Sequence, residues 1–279
     1  MSTDAPLCPM VRIEPAKTWV PLTLKDLWEF RELIYLLAWR DIRASYNQTI
    51  LGSSWAILKP VFTMAIVSLI FGGLIGVPSE GMPYPIFVFT ALLPWQLFAR
   101  TLAGSSTSLV ANENLLTKVY FPRLVVPLSA IATGILDFMI AFVVLLGMMA
   151  YYRIPPTGAL SLLPLFVLLA IAAALGVGLW FAALNVRYRD VGHGLPFLTQ
   201  MWMFATPIIY PASLVPESLR MVYWLNPTVG MVEGFRWALL GTGNRPGVAF
   251  MLSMMTTLAV LVSGLYYFSR MEQTFADSM

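Results

Sequence analysis

Long uncharged stretches constrain this chain more than any other feature of its sequence. Six stretches of 17 residues or more carry at most one formal charge. A helix needs about 20 apolar residues to cross a bilayer, and lipid offers backbone groups no hydrogen-bond partners. The 279 residues are 58% hydrophobic and 11% charged, whereas soluble proteins are roughly 25% charged. The sequence therefore predicts an all-α, polytopic membrane protein and argues against a soluble helical bundle.

The uncharged stretches predict six transmembrane helices. The first is expected to start at Lys59 and Pro60, because proline is tolerated in the opening turn of a helix. Pro94 and Pro207 are expected to kink the second and fifth spans, since proline removes a backbone donor. The predicted spans are residues 61–77, 84–99, 124–152, 160–186, 195–210 and 248–269.

The distribution of basic residues predicts that both termini are cytoplasmic. With the N-terminus inside, thirteen of the 17 lysines and arginines fall on the inner side and four on the outer side. Cytoplasmic loops of membrane proteins carry such an excess. The predicted domains are a cytoplasmic tail at 1–22, an interfacial helix with its connector at 23–56, a six-span domain at 57–269 and a cytoplasmic tail at 270–279.

The segment before the first span predicts an N-terminal interfacial amphipathic helix. Leu24, Leu27, Trp28 and Ile34 share one helical face, whereas most nearby charges lie elsewhere. Such a helix lies in the membrane interface, with the tryptophan at headgroup depth, or packs against a partner protein in the cytoplasm. The two interpretations are compatible.

The loop between the fifth and sixth predicted spans, residues 211–247, is rich in Trp, Pro and Gly. A loop of this length without secondary structure is improbable. We predict short re-entrant helices here, one of them at 229–240, which is too short to cross the membrane. Glu233 and Arg236 are spaced to form an ion pair on one face of that helix.

The sequence lacks the residues that enzymes and metal sites need. It has no glycine-rich phosphate loop, so ATP must be hydrolysed by another chain if it drives this one. The single cysteine lies near the N-terminus, no cluster of cysteines or carboxylates surrounds the single histidine in the sequence, and no Asp-x-Asp pair occurs. We predict no catalytic residue, no metal, no cofactor in this chain and, with a net charge of +3, no nucleic-acid partner.

Asp137 is the one formal charge predicted in the middle of a span. A carboxylate at the bilayer centre costs roughly 2.5–3.5 kcal/mol on insertion scales, so it must face protein or water, or be protonated. One role is a hydrogen bond to a neighbouring helix. The other is a proton or cation relay, which needs a second ionisable group at similar depth.

Nine short motifs resemble, in order and spacing, the permease subunits of type-2 ABC exporters for polysaccharides such as O-antigen, capsule and teichoic acid. The resemblance extends from Leu33 to Tyr267, which is nearly the whole chain. The motifs are WRDIRASY at 39–46, QTILG at 48–52, WAILKP at 55–60, LLPWQ at 92–96, NLLTKVYFPR at 114–123, NVRYRD at 185–190, WMFATPIIYP at 202–211, LNP at 225–227 and EGFR at 233–236.

This resemblance implies an assembly and a location. It implies a homodimer of this chain with two cytoplasmic ABC ATPase subunits, which would bind ATP and Mg. It implies a polysaccharide substrate linked to a polyprenyl diphosphate and moved across a bacterial inner membrane, with membrane lipids around the complex. The mechanism would be conformational, with no covalent chemistry in this chain.

The segment 112–123 is the candidate coupling helix that the ATPase would push. Leu115, Leu116 and Val119 form an apolar patch in the sequence, and Pro122 is expected to end the helix. The residues predicted to contact the ATPase are Asn114, Leu115, Leu116, Lys118, Val119, Tyr120, Phe121 and Arg123.

Two further groups of residues are predicted to meet the substrate. A basic cluster would bind its diphosphate at an entrance gate, or else anionic lipid headgroups. Aromatic side chains would line a tunnel, where they grip the CH faces of sugars and still let the polymer slide; packing in the core or the lipid belt is the alternative. The gate residues are Arg40, Arg43, Arg187 and Arg189, and the tunnel residues are Trp95, Phe98, Trp202, Phe204 and Tyr210.

Two other functions stay open at the level of sequence. The first is a type-2 ABC permease for drugs or small lipids. The second is a membrane glycosyltransferase or phosphotransferase acting on polyprenyl phosphates. That enzyme class needs clustered carboxylates at the membrane surface, and no Asp-x-Asp pair occurs in the chain.

Overall fold

The structure is a computed structural model that describes residues 24–46, 54–119, 121–243 and 247–272. Within these ranges every regular element is a helix, so the predicted all-α class is confirmed. A π-helical segment, Ser68–Ile75, continues α3, and short 3-10 helices at Gly158–Leu162 and Ala212–Leu214 precede α7 and α9. The α-helices are α1 Leu24–Glu29, α2 Arg31–Tyr46, α3 Ser54–Val67, α4 Tyr84–Ala111, α5 Glu113–Lys118, α6 Val125–Tyr151, α7 Leu163–Arg187, α8 Asp190–Phe204, α9 Glu217–Trp224, α10 Pro227–Leu240 and α11 Val248–Glu272.

Five helical segments in the described part of the chain are long and apolar enough to cross a membrane, and they coincide with five of the six predicted spans. The fifth predicted span, 195–210, corresponds instead to α8, which has 15 residues and rises about 22 Å. It ends at Phe204 because Pro207 lacks a backbone donor and disfavours helical backbone at Thr206. Pro207 therefore follows the end of a helix and does not kink one. The five segments are Ser54–Ile75, Tyr84–Ala111, Val125–Tyr151, Gly158–Arg187 and Val248–Glu272.

Two helices extend well beyond the predicted spans. Helix α3 begins at Ser54, so the prediction that Lys59 and Pro60 mark its start is wrong, and both lie inside it. Helix α4 continues past Ala99 and has 28 residues. Arg100, one of the thirteen basic residues assigned above to the inner side, therefore lies within this long helix.

Helix α4 is the centre of the bundle and packs mainly against α6 and α7. Glycines allow this close approach, since a Cβ on Gly134 of α6 would lie 2.6 Å from the Thr101 Oγ1 of α4. The polar second half of α4 is accommodated by hydrogen bonds to backbone. Ser106 donates to the Leu102 carbonyl at 2.7 Å, and Ser105 donates to the Pro127 carbonyl of α6 at 3.2 Å.

Helices α7 and α11 run parallel to each other. Phe166 and Phe250 meet near the beginnings of the two helices, with ring centroids 5.5 Å apart, and Trp180 stacks on Tyr267 near their ends at 4.2 Å. The crossing is so tight that a Cβ on Gly264 would lie 2.2 Å from a backbone oxygen of α7. The chain between them, 188–247, therefore leads from the far end of α7 back to the near end of α11.

The N-terminal segment forms two helices, α1 and α2, and not one. Trp28 is 70% exposed and lies on the side away from the protein. The opposite side packs on the C-terminal ends of α4, α7 and α11 and on the start of α6, so the segment is apolar on two faces. The side chain of Leu24 lies outside those described. The packed residues are Leu27, Phe30, Leu33, Ile34 and Leu37, and the other exposed apolar residues are Tyr35, Leu36 and Trp39.

The loop 211–247 contains two helices, α9 and α10, which confirms the prediction of short helices there. The side chain of Asn226 caps α10 by accepting a hydrogen bond from the Thr228 N–H at 3.1 Å, and Pro227 occupies the first turn. Gly241 ends the helix in the left-handed conformation, with φ of 69°. The 14 residues of α10 rise about 21 Å, too little to cross a bilayer.

Candidate functional site

A cavity of about 590 Å³ lies between α3, α4 and α8. Small residues make room for it, among them Ala103 and Gly104 on α4 and Gly192 on α8. Its lining also contains one cation, three hydroxyls, one amide and one indole. These polar and aromatic residues are Arg100, Thr63, Thr107, Thr199, Gln200 and Trp95.

Arg100 belongs to a polar cluster that joins three helices. Its Nε lies 3.4 Å from the Asp137 carboxylate on α6, and its Nη2 donates to the Ser45 hydroxyl of α2 at 3.2 Å. The Tyr46 hydroxyl donates to the other oxygen of Asp137. Burial and the neighbouring Asp137 raise the pKa of Tyr46, so it stays a neutral donor. Asp137 is thus hydrogen-bonded to a neighbouring helix, and the second ionisable group that the sequence did not place near it is Arg100.

The cluster also shows how α2 is held. Asp41 accepts from Ser129 of α6 at 3.4 Å, and Tyr46, further along α2, reaches Asp137, further along α6. The two helices therefore run parallel. The C-terminal end of α2 lies level with the middle of α6 and not at its end.

Three of the five predicted tunnel residues form one aromatic row. The rings of Trp95 and Phe98 are 5.3 Å apart, and Phe98 meets Trp202 edge-on at 5.2 Å. Trp95 lines the cavity, whereas Phe98 has no exposed surface and packs behind its neighbours. Phe204 is half exposed at the end of α8 and accepts, through its carbonyl, a hydrogen bond from the Tyr210 hydroxyl at 3.1 Å.

The four predicted gate arginines fall into two separate pairs. Arg40 binds Asp41 at 2.7 Å, and Arg43 lies over the Trp39 ring, both on α2. At the junction of α7 and α8, Arg187 lies over its neighbour Tyr188, and Arg189 pairs with Glu113 of α5 at 3.7 Å. Among the described residues no contact joins one pair to the other. All four side chains are exposed.

The predicted coupling segment contains a short helix that packs against the rest of the protein. Helix α5 ends at Lys118, four residues before Pro122, so the expectation that the proline ends it is wrong. Leu115 and Leu116 pack on the protein beside the buried Phe121, whereas Val119 is 52% exposed. The predicted apolar patch is therefore split between the protein interior and the surface.

The base of this segment is tied to the end of the last helix. The Arg123 backbone N–H donates to the Glu272 carboxylate at 3.0 Å, and its guanidinium donates to the Glu272 carbonyl at 2.7 Å. Asn114 and Lys118 are exposed. Tyr120, also predicted to contact a partner, lies outside the described residues.

The opposite end of the bundle is held by a buried ion pair. Glu233 and Arg236 of α10 lie 3.1 Å apart, as predicted, with exposures of 2% and 0%. The Arg236 guanidinium also donates to the carbonyls of Ile208 at 2.9 Å and Phe87 at 3.4 Å, and it covers the Phe87 ring. One side chain therefore connects α10, α4 and the segment that follows α8.

Arg100 is the residue of this site that sequence reasoning missed. The apolar run ends at Ala99, and this hid the continuation of α4 through a segment rich in serine and threonine. Two sequence signals indicate that the helix continues past Ala99. No proline interrupts residues 95–121, and small residues recur at 99, 103 and 104, as in closely packed membrane helices.

These features define a multi-pass membrane protein of helices, with a cavity that one arginine borders. The chain belongs to the ABC-2 type transporter family, whose sequence profile matches residues 32–240. This confirms the family resemblance seen in the motifs.

Relatives with similarity over nearly the whole chain are named as export or transport proteins. The chain is 30% identical over 260 residues to the O-antigen export system permease protein RfbA of Myxococcus xanthus, which covers 92% of this chain and 98% of that protein. It is 27% identical over 248 residues to the protein of the same name in Klebsiella pneumoniae, covering 88% and 94%. It is 28% identical over 247 residues to the polysialic acid transport protein KpsM of Escherichia coli, covering 86% and 93%.

Proposed function

We propose that this chain is the transmembrane subunit of an ATP-driven exporter that moves a polysaccharide across the inner membrane of a bacterium. The observation that carries the proposal is similarity along nearly the full length to proteins named for O-antigen export and for polysialic acid transport. Neither a drug permease nor a transferase is named among these three relatives. The glycan would be carried on a polyprenyl diphosphate.

The proposed topology has six crossings with both termini in the cytoplasm. Its support is the parallel arrangement of α7 and α11, because two parallel spans need an odd number of crossings between them. Helix α8 supplies part of that crossing. The segment after Phe204 continues it, since the Ile209 carbonyl reaches the Tyr84 hydroxyl at the opposite end of α4 at 2.6 Å. The fifth span is thus broken, with α9 and α10 re-entering the outer leaflet.

The proposed energy source is a pair of ATPase subunits that dock on α5. Movement of a partner can be transmitted only through a rigid element, and α5 meets this need. Its leucines anchor it to the protein, and Arg123 ties its base to α11. The exposed Asn114, Lys118 and Val119 would then form the contact surface.

The proposed substrate path uses both groups of predicted residues. The gate arginines are exposed, two in the second half of α2 and two at the junction of α7 and α8, where they would bind an anionic headgroup. Trp95 lines the cavity, and Trp202 lies behind it on α8. One protomer leaves the cavity open on one side, and a homodimer would enclose the path between two copies.

Deleting the gene for this chain from its host tests the proposal. Surface polysaccharide should disappear while lipid-linked glycan accumulates inside, as measured with a glycan-specific antibody on intact and on permeabilised cells. Intact surface glycan together with a new drug sensitivity would overturn the proposal in favour of a drug permease. Sugar transfer by the purified chain alone would overturn it in favour of an enzyme.

A paired substitution tests the coupling surface within that experiment. Val119→Asp should fail to restore export, because it places a charge on the proposed contact surface. The protein should still reach a normal level in the membrane, because Val119 is exposed and takes no part in the core. The matched control is Val248→Asp, at the start of α11 and 87% exposed, which should restore export. Equal export by both variants would remove α5 from the coupling surface.

A further inference from the structure

We propose that the cavity between α3, α4 and α8 binds the phosphate of a lipid-linked substrate, and that Arg100 is the residue that binds it. The inference rests on the proposed function and adds a phosphate site centred on Arg100, which is not among the predicted gate or tunnel residues. Arg100 is the one formally charged side chain among the described residues that line this cavity.

The arginine has donors to spare. A guanidinium carries five N–H donors. Its contacts to Asp137 and Ser45 engage Nε and Nη2, and they leave the donors of Nη1 without a partner among the described residues. The side chain is 47% exposed. A guanidinium with free donors matches the planar, two-pronged geometry with which arginine holds phosphate.

The rest of the lining suits a sugar next to that phosphate. Thr63, Thr107, Thr199 and Gln200 offer hydroxyl and amide groups, and Trp95 offers an aromatic edge. The volume of about 590 Å³ lies within the range of roughly 300–1,000 Å³ that small-molecule sites occupy. A phosphate with one sugar unit attached is of that size class.

The depth of the site favours a lipid-borne anion over a free one. Arg100 lies eleven residues before the end of α4, or about 16 Å along the helix axis. A dissolved phosphate would have to lose its hydration to reach this depth. A lipid carrier holds its phosphate next to the protein, and the carrier's chain stays in the hydrocarbon.

Asp137 allows Arg100 to exchange one anionic partner for another. It competes with an incoming phosphate for Arg100, and it keeps the Tyr46 hydroxyl as a donor when Arg100 turns away. Exchange therefore leaves no carboxylate without a partner. The same exchange loosens the contact of Arg100 with Ser45, which holds the end of α2, so that substrate binding would be linked to movement of α2.

Binding of farnesyl diphosphate to the purified full-length chain in detergent tests the site, with native mass spectrometry as the measurement. Arg100→Gln should weaken this binding by about 10- to 100-fold, the equivalent of one charge-assisted hydrogen-bond set, and leave farnesol binding unchanged. Asp137→Asn should strengthen it, because the competitor is removed. The matched control is Arg153→Gln, an exposed arginine beyond the end of α6, which should bind like the wild type.

A second variant guards against misfolding of the Asp137 substitution. Tyr46→Phe leaves Asp137 with Arg100 as its main partner, so it should weaken binding of farnesyl diphosphate. Wild-type binding by Arg100→Gln overturns the site. Displacement by an equal concentration of phosphatidylglycerol also overturns it, because the cavity would then hold ordinary membrane lipid.

The two proposals can fail separately. If the gene deletion leaves surface polysaccharide intact, the proposed function fails whatever the binding data show. If export depends on the chain and Arg100→Gln binds farnesyl diphosphate normally, the function stands and the site is lost.

Discussion

Two arginine–carboxylate pairs stand in opposite environments in this molecule. Arg236 and Glu233 lie one turn apart on α10, with side-chain exposures of 0% and 2%. Arg100 and Asp137 face each other across α4 and α6, with exposures of 47% and 29%. The first pair is local in sequence and buried, whereas the second is distant in sequence and borders a cavity.

The difference shows which of the two pairs stabilises the packing of the helices. The donors of Arg236 contact the Glu233 carboxylate and the carbonyls of Ile208 and Phe87. A buried charge is tolerated only with such full pairing. Arg100 makes fewer contacts and keeps access to the cavity. The same pair of chemical groups therefore fixes the packing of helices in one region, where we call it a lock, and forms an exchangeable contact in the other.

The largest expected effect is that of breaking the buried pair. Arg236→Met leaves Glu233 without its main partner and removes donors from two carbonyls. We expect a loss of about 3–5 kcal/mol in the free energy of unfolding, measured as a fall in the thermal unfolding midpoint of the purified chain in detergent. Arg236→Met with Glu233→Leu should recover part of this loss. A single variant as stable as the wild type would contradict the role of Arg236 as a lock.

Removal of the Tyr46 hydroxyl should have an intermediate effect. Tyr46→Phe takes one donor from a half-buried carboxylate, and we expect a loss of about 1–2 kcal/mol. Burial raises the pKa of Tyr46, so its neutral form stabilises the folded state below the unfolded pKa of about 10 and this contribution falls at higher pH. The difference between wild type and variant should thus be constant from about pH 6 to about pH 9. A difference that changes within this range would point to titration of another group.

The smallest expected effect on stability is that of Arg100→Gln. Exposed ion pairs contribute about 0.2–1 kcal/mol, and Asp137 keeps Tyr46 as a partner. Salt should reduce even this difference, since the screening length is about 3 Å at 1 M, and the effect of Arg236→Met should persist at the same salt concentration. A loss of stability for Arg100→Gln as large as that for Arg236→Met would erase the distinction between the two regions.

Sequence reasoning found the Glu233–Arg236 pair and missed the Arg100–Asp137 pair for a physical reason. Glu233 and Arg236 are three residues apart, and helix geometry alone brings them together. Arg100 and Asp137 meet only if α4 continues past its apolar run and packs against α6. The apolar run ends at Ala99, but the serines that follow are buried and donate hydrogen bonds to backbone carbonyls, so the helix continues.

The other predictions also depend on whether a feature is local in the sequence or requires contacts between distant residues. Helices with long apolar runs, such as α6 and α11, were predicted within a few residues. The fifth span was predicted as one helix, and Pro207 separates it into α8 and a non-helical segment. The candidate gate arginines are close in pairs along the chain, but nothing in the described residues links the pairs.

The amino-acid sequence by itself determined the class of this protein, because hydrophobic length and backbone hydrogen bonding leave a chain in lipid few alternatives. It also determined the local features that depend on neighbours a few residues apart, such as the cap of α10 and its ion pair. Tertiary structure alone decided which distant groups meet. The parallel course of α7 and α11, the cavity behind Trp95 and the partner of Asp137 depend on how helices pack, and packing joins residues that no short spacing relates.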